Sequence, residues 1–149
     1  MGADERQPPL AGPVVIDASA VVEYLVTLTL TDAATRLFHR AADGQIELWA
    51  PDLVYAEAAS ALRKLVQLGA VPVAPASRAV AHLPQLPILA TGTAALVPEV
   101  WRMRAFLTTY DACYIALADA LGAAFVTGEQ SLAAELRKRR KRARYLGDL

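Results

Sequence analysis

The segment Val14-Val15-Ile16-Asp17 constrains the fold of this chain more than any other stretch. Three consecutive apolar β-formers predict a strand that is buried on both faces, as strands of parallel sheets are. A carboxylate follows at the C-terminal end of that strand, which is the edge where ligands collect in open α/β sheets. Because an isolated carboxylate is costly to bury, we expect Asp17 to meet a positively charged partner there.

The rest of the chain alternates between helical and strand patterns. We predict further strands at residues 46–50 and 124–127 and a short edge strand at residues 86–89. Helices are predicted over residues 20–30, 32–42, 52–68, 76–83, 91–106, 110–121 and 131–142. Strands that alternate with helices predict an α/β fold with a parallel sheet and right-handed crossovers.

The length of 149 residues predicts one domain. We expect it to span residues 14–149, after a loose Pro- and Gly-containing arm over residues 1–13. No continuous apolar run predicts a membrane segment or a signal peptide. The single cysteine, Cys113, leaves no intramolecular disulfide to form, which suits a reducing cytoplasm.

The formal net charge of +0 conceals a division along the chain. Seven of the 15 basic residues lie between residues 137 and 144, so residues 1–136 hold eight basic residues against fourteen acidic ones. We predict that this basic run forms the end of the C-terminal helix. It is either a solvated helix end or a positive surface that holds a polyanion such as RNA. The candidate RNA-binding residues are Arg137, Lys138, Arg139, Arg140, Lys141 and Arg142.

Three later carboxylates can reach the same sheet edge as Asp17. Glu57 lies in an Ala-rich helix, Asp111 in the first turn of a helix, and Glu129 just after a strand. Taken singly, each also fits a surface glutamate, a residue that satisfies the helix dipole, or a turn residue. Taken together, clustered carboxylates need a cation between them, and oxygen donors without His or Cys favour Mg²⁺ or Mn²⁺ over Zn²⁺.

Four motifs give the chain a family resemblance. They are Val-Ile-Asp17-Ala-Ser-Ala, Tyr55-Ala-Glu57, Tyr110-Asp111-Ala-Cys-Tyr-Ile-Ala-Leu-Ala and Val126-Thr127-Gly-Glu129-Gln-Ser-Leu132. Together they resemble a PIN domain, and more narrowly the VapC toxins of bacterial and archaeal toxin–antitoxin pairs. The likeness covers roughly residues 14–136, and the Tyr-Asp-Ala block is its most specific part.

This resemblance implies a three-layer α/β/α fold with a five-stranded parallel sheet. It implies a Mg²⁺- or Mn²⁺-dependent endoribonuclease in which Asp17, Glu57 and Asp111 match the first three acidic positions. Ser19 matches a hydroxyl position that supports the metal site, and Thr127 matches the threonine before the fourth acid. The fourth acid of the family is normally aspartate, so ligation by Glu129 is a hypothesis. A homodimer and a VapB-type antitoxin are the implied partners.

Two rival functions stay open at this stage. The altered fourth acid allows a non-catalytic PIN-like module that binds RNA or a protein. An aspartyl-phosphate phosphohydrolase also places an aspartate after its first strand, but it needs a second aspartate where this chain has Ser19. We expect no metal or acid–base role for His39 and His82, core packing for Cys113, and core or interface burial for Trp49 and Trp101. Asp52 is predicted to cap a helix, and Asp119 to be solvated, with a role at the rim of the site left open.

Overall fold

The computed structural model describes residues 7–149, and five parallel strands form its single sheet. The strands are β1 (Gly12–Ile16), β2 (Ile46–Pro51), β3 (Ile88–Thr91), β4 (Ala124–Thr127) and β5 (Ala143–Tyr145). Their order across the sheet is β3-β2-β1-β4-β5, and all four neighbouring pairs are parallel. The predicted three-layer α/β fold with a central five-stranded parallel sheet is thereby confirmed.

Within residues 7–149, seven α-helices connect and cover these strands. They are α1 (Ala18–Leu25), α2 (Thr31–Ala42), α3 (Val54–Gln67), α4 (Val73–His82), α5 (Val97–Arg102), α6 (Thr109–Leu121) and α7 (Gln130–Lys138). The prediction for residues 110–121 is close to α6, since Thr108 caps its first turn and Gly122 ends it in the left-handed conformation. No helix in the described part of the chain is both long and apolar enough to cross a bilayer.

Hydrogen bonds of the Thr31 hydroxyl explain why the predicted C-terminal boundary of the first helix is wrong. A single helix was predicted over residues 20–30, but α1 ends at Leu25. The Thr31 hydroxyl accepts a hydrogen bond from the Leu28 N–H at 2.8 Å and donates to the Val26 carbonyl. Side-chain bonds of this kind offer the backbone an alternative to the helix, so the chain turns before α2 begins.

The basic run differs most from its prediction. The helix expected over residues 131–142 ends at Lys138, and residues 143–145 instead form β5. Arg140 has a φ of 60°, a left-handed conformation that stops the helix and turns the chain back toward the sheet. Residues 137–144 therefore do not form a basic C-terminal helix.

The core lies around β1, as the apolar run predicts. Val14, Val15 and Ile16 are fully buried because β2 and β4 flank β1 and helices cover both faces. The same strand begins two residues earlier than expected, at Gly12. Leu10 is buried as well, so the arm predicted over residues 1–13 is shorter at this end. The first six residues of that predicted arm lie outside the described residues.

Candidate active site

Asp17 lies where the connections of the sheet change direction. From β1 the chain proceeds to β2 and β3 on one side and then returns to β4 on the other side of β1. Such a switch point leaves a crevice at the carboxyl ends of the strands, where ligands bind in folds of this type. Asp17 follows β1 at this crevice, and its Oδ1 caps α1 by accepting the Ala20 N–H at 3.2 Å.

Two hydroxyl groups fix the Asp17 carboxylate. Ser19 Oγ donates to Oδ1 at 2.5 Å, and Thr127 Oγ1 donates to Oδ2 at 2.6 Å. The Gly128 N–H donates to Ser19 Oγ at 2.8 Å, which ties the end of β4 to the start of α1. A Cβ at Gly128 would lie 3.1 Å from Ser19 Oγ, so the absent side chain permits this close approach. The structure thus brings Ser19 and Thr127 into direct contact with Asp17.

Burial makes the charge of Asp17 costly. The residue is only 8% exposed, and burial raises the pKa of the carboxyl from 3.8 to about 6. Hydrogen bonds from Ser19, Thr127 and Ala20 oppose this rise in pKa, while the negative charge of Glu129 adds to it. A carboxylate in this situation is stabilised by a nearby cation.

Glu57 is positioned by a residue that the sequence analysis did not single out. Tyr114, which is 2% exposed, donates its hydroxyl hydrogen to Glu57 Oε1 at 2.7 Å. Burial and the acceptor Glu57 both raise the pKa of Tyr114, so the phenol stays protonated and remains a donor. Its position in the Tyr-Asp-Ala-Cys-Tyr block, three residues after Asp111, was the available signal, because residues i and i+3 share a helix face.

Asp111 and Glu129 complete the acidic set. Asp111 lies in the first turn of α6, where its N–H donates to Thr108 Oγ1 at 3.2 Å and burial raises the pKa of its carboxyl. Glu129 is the residue before α7 and makes no capping hydrogen bond with its side chain. Burial and then the charges of Asp111 and Glu57 raise the pKa of Glu129. The negative charges of neighbouring carboxylates therefore raise the pKa values of Asp17 and Glu129.

The donor chemistry fits a hard divalent cation, since carboxylate and hydroxyl oxygens form this edge without His or Cys ligands. The carboxylates lie further apart than the ligands of a metal site would. Among residues 7–149, no three His, Cys, Asp or Glu side chains converge closely enough to hold a metal ion. The structure shows an acidic crevice with one rigidly held carboxylate, Asp17, and three neighbours that interact with it or with one another.

Residues not predicted to be catalytic are packed, paired or exposed, and one of them, Cys113, lies within the field of Glu57. Cys113 is 5% exposed, and burial raises the pKa of its thiol, as expected of a packed cysteine. Asp119 forms an ion pair with Lys141 at 2.7 Å. His39 and His82 are exposed. Trp101 is also exposed, with the Arg104 guanidinium 4.9 Å from its ring centroid.

The basic run lies at the opposite end of the sheet, where the strands have their N-terminal ends. Helix α7 begins after β4, at the carboxylate edge, and runs back to the start of β5. Arg139 pairs with Glu135 and lies over the Phe106 ring at 4.2 Å, while Lys141 pairs with Asp119. The structure therefore does not bring the predicted RNA-binding residues together with the four carboxylates.

Comparison with known families adds a decisive observation. The model of the family described as PIN domain matches residues 14–138 of this chain. The chain belongs to the PIN domain family. This PIN domain is 36% identical over 119 residues to ribonuclease VapC9 of Mycobacterium tuberculosis, covering 80% of this chain and 87% of the relative.

Solved structures agree with this assignment. The crystal structure of PAE2754 from Pyrobaculum aerophilum matches this PIN domain with a TM-score of 0.65 and 27% identity, over 92% of each chain. VapBC2 from Rickettsia felis, solved bound to a DNA fragment from its promoter, matches with a TM-score of 0.64. That match covers 89% of this chain and 98% of the other, and at 10% identity it supports the fold alone.

Proposed function

We propose that this PIN domain is a divalent-metal-dependent endoribonuclease and the toxin of a two-protein toxin–antitoxin module. The observation that carries the proposal is the buried Asp17 carboxylate, which two hydroxyls hold at the switch point. The 36% identity to a protein named ribonuclease VapC9 supplies the substrate class. One domain spanning residues 14–149 carries this activity, because β5 completes the sheet beyond the matched segment.

Asp17, Asp111 and Glu129 would hold Mg²⁺ or Mn²⁺, with Glu57 completing the acidic ring. When bound, such an ion activates water and stabilises negative charge on a phosphodiester. The residues of the chain prepare the site for it. Ser19 and Thr127 fix both oxygens of Asp17, and the helix dipole at the start of α6 favours the ionised form of Asp111.

Glu129 occupies the position at which the family normally has aspartate. Its longer side chain moves the carboxylate outward by one carbon–carbon bond, while metal sites tolerate deviations of about 0.2 Å. The residue is exposed, and its side chain is not engaged in capping α7, so it is able to adjust. Mn²⁺ titration of Glu129→Gln tests this role, because unchanged affinity and unchanged cleavage would remove Glu129 from the site.

The proposed partners follow from the same relationship. A VapB-type antitoxin would restrain the toxin in the cytoplasm, and the 36% identity to a protein named ribonuclease VapC9 supports a partner of this kind. Exposed apolar side chains give this chain surfaces for the antitoxin or for a second copy of itself. These residues include Leu68, Val73, Val97, Trp101 and Tyr110.

Cleavage of single-stranded RNA with Mg²⁺ or Mn²⁺, and with EDTA added, tests the activity. We expect Asp17→Asn to abolish cleavage, whereas Asp43→Asn, which changes an exposed aspartate after α2, leaves it intact. Mn²⁺ binding followed by electron paramagnetic resonance supplies a readout that does not depend on turnover. Cleavage that survives EDTA or Asp17→Asn would refute the proposal.

A non-catalytic PIN-like module is the second candidate. It is favoured by the looser geometry, since the described residues contain no ready-made group of three metal ligands. The same assay decides between the two functions. RNA binding without metal-dependent cleavage would support the module, and cleavage lost in Asp17→Asn would support the nuclease.

A further inference from the structure

Two neighbouring clefts lie at the N-terminal ends of the strands, and neither is part of the acidic site. The first, of about 470 Å³, lies between residues 7–11, the starts of β1, β4 and β5, and the end of α7. The second, of about 350 Å³, shares Lys141 and Arg142 with it. We name the five basic residues that line them the distal basic surface: Arg137, Arg140, Lys141, Arg142 and Arg144.

This surface is separated from the carboxylates by the length of the sheet. Pro13, Ala124 and Ala143, which line the first cleft, lie at or near the N-terminal ends of their strands, whereas Asp17 and Glu129 follow the C-terminal ends. The four residues of β4 alone span about 13 Å at 3.3 Å per residue. The part of a ligand that contacts the distal basic surface therefore lies outside the acidic crevice.

Among residues 7–149, four of the five positive charges of this surface form no ion pair, whereas Lys141 pairs at 2.7 Å with Asp119, which also lines the second cleft. Arg144 donates to the Pro8 carbonyl at 2.8 Å, and Arg142 donates to the Gly122 carbonyl at 3.0 Å. These acceptors are neutral, so they hold the guanidinium groups in place without cancelling their charge. Burial and the charges of Arg137 and Arg40 lower the pKa of Arg144, although Asp148 opposes this shift. A bound anion would relieve the repulsion among these groups.

The rest of the molecule explains why a nuclease would use such a surface. Four carboxylates at the other edge repel phosphate groups, and residues 1–136 carry a net negative charge. Affinity for a polyanion comes mainly from Lys and Arg contacts to its phosphates. Nearly half of the basic residues of the chain lie in the run that supplies the distal basic surface.

We infer that the distal basic surface is a second RNA-contact surface, which binds the sugar–phosphate backbone of the substrate away from the scissile bond. This inference rests on the proposed ribonuclease function. Two open clefts in succession suit a flexible strand with regularly repeated charges, and their lining includes no aromatic side chain for base stacking. Contact with the backbone, without base readout, is therefore the expected mode.

The salt dependence of RNA binding tests the inference. All variants carry Asp17→Asn, so that RNA stays intact during the measurement. Arg137→Gln combined with Arg140→Gln removes one exposed charge from each cleft. Arg63→Gln combined with Arg78→Gln is the matched control, because it removes two exposed charges from α3 and α4.

We expect the slope of log K against log salt to fall by about 1.4 in the first double variant, from about 0.7 per phosphate contact on a single strand. The control should keep the parent slope. Equal slopes in the two double variants would overturn the inference. So would a loss of polyglutamate binding without any change for RNA, because the surface would then belong to an acidic polypeptide.

A cleavage assay on the protein without Asp17→Asn distinguishes failure of this inference from failure of the proposed ribonuclease function. Metal-dependent cleavage with an unchanged binding slope would reject the distal basic surface alone. Absence of both RNA binding and cleavage would reject the ribonuclease and, with it, the surface. In the active protein, we expect the double variant to raise KM for long RNA while kcat changes little, since the charges removed do not touch the reacting phosphate.

Discussion

Three hydrogen-bond donors hold the Asp17 carboxylate at a position where burial disfavours its charge. Ser19, Thr127 and the Ala20 N–H favour the ionised form, while burial and Glu129 oppose it, and the balance leaves the pKa at about 6. The residue is therefore positioned at the expense of stability in the metal-free protein. Such strain is common where residues are placed for function.

This raised pKa predicts how stability varies with pH. Between about pH 4 and pH 6 the folded state binds more protons at Asp17 than the unfolded state, so the free energy of unfolding falls as pH rises. A rise of about two pKa units corresponds to about 3 kcal/mol. We expect metal-free Asp17→Asn, which can still cap α1, to be more stable than the parent at pH 7 and to lose most of this dependence.

Urea unfolding at pH 4 and pH 7, in the presence of EDTA, measures the effect. Asp43→Asn serves as the control, because it alters an exposed carboxylate. If Asp17→Asn is less stable than the parent at both pH values, the carboxylate is not under the strain described.

Tyr114 is the positioning residue for Glu57. Tyr114→Phe keeps the buried ring and its contact with Phe125, at 6.1 Å between centroids, but removes the hydrogen bond to Glu57. We expect kcat to fall while KM for RNA changes little, with a loss of about 1 kcal/mol in unfolding free energy. Tyr24→Phe, whose ring stacks on Phe38, is the matched control. Equal kcat values for the two variants would show that Tyr114 has only a packing role.

At the scale of elements, the sequence was most informative where one chemical signal dominates. The run from Val14 to Ile16 predicted the central buried strand, and Thr108 with Gly122 marked the ends of α6 closely. β5 was not predicted because a strand of three residues with one buried side chain, Ala143, is too short to show alternating hydrophobicity. The arginines around it also resemble the basic end of a helix. The sequence predicts Asp17, Glu57, Asp111 and Glu129 as one set, and their fine geometry depends on loops that have no such signal.

The turn between α7 and β5 gives a testable consequence. Arg140 adopts a φ of 60°, which is unfavourable for a residue with a Cβ. We expect Arg140→Gly to raise the free energy of unfolding by up to about 1 kcal/mol, because glycine adopts this conformation without the steric cost. Arg140→Ala removes the same charge and keeps the Cβ. A gain in both variants would attribute the effect to charge repulsion within the distal basic surface instead.

At the scale of the whole molecule, parallel topology separates two opposite charge distributions. All five strands point the same way, so their C-terminal ends collect the carboxylates and their N-terminal ends collect the basic run. Sequence order alone conceals this separation, since Glu129 and Arg137 are only eight positions apart. Helix α7 provides the separation by crossing the sheet between them. The proposed RNA path therefore extends from one edge of the sheet to the other.

Divalent ions should stabilise the whole fold, because the proposed ligands belong to different parts of it. Asp17 follows β1, Asp111 begins α6 and Glu129 precedes α7, so a shared ion links segments that are distant in sequence. Binding to the folded state alone contributes about 2.7 kcal/mol when the ion is present at 100 times its Kd. We expect Mn²⁺ to raise the Tm of the parent and of Asp43→Asn, and EDTA to reverse the rise. The same Mn²⁺ concentration should leave the Tm of Asp17→Asn unchanged. An equal rise in all three proteins would place the ion elsewhere on the surface and separate the acidic crevice from metal binding.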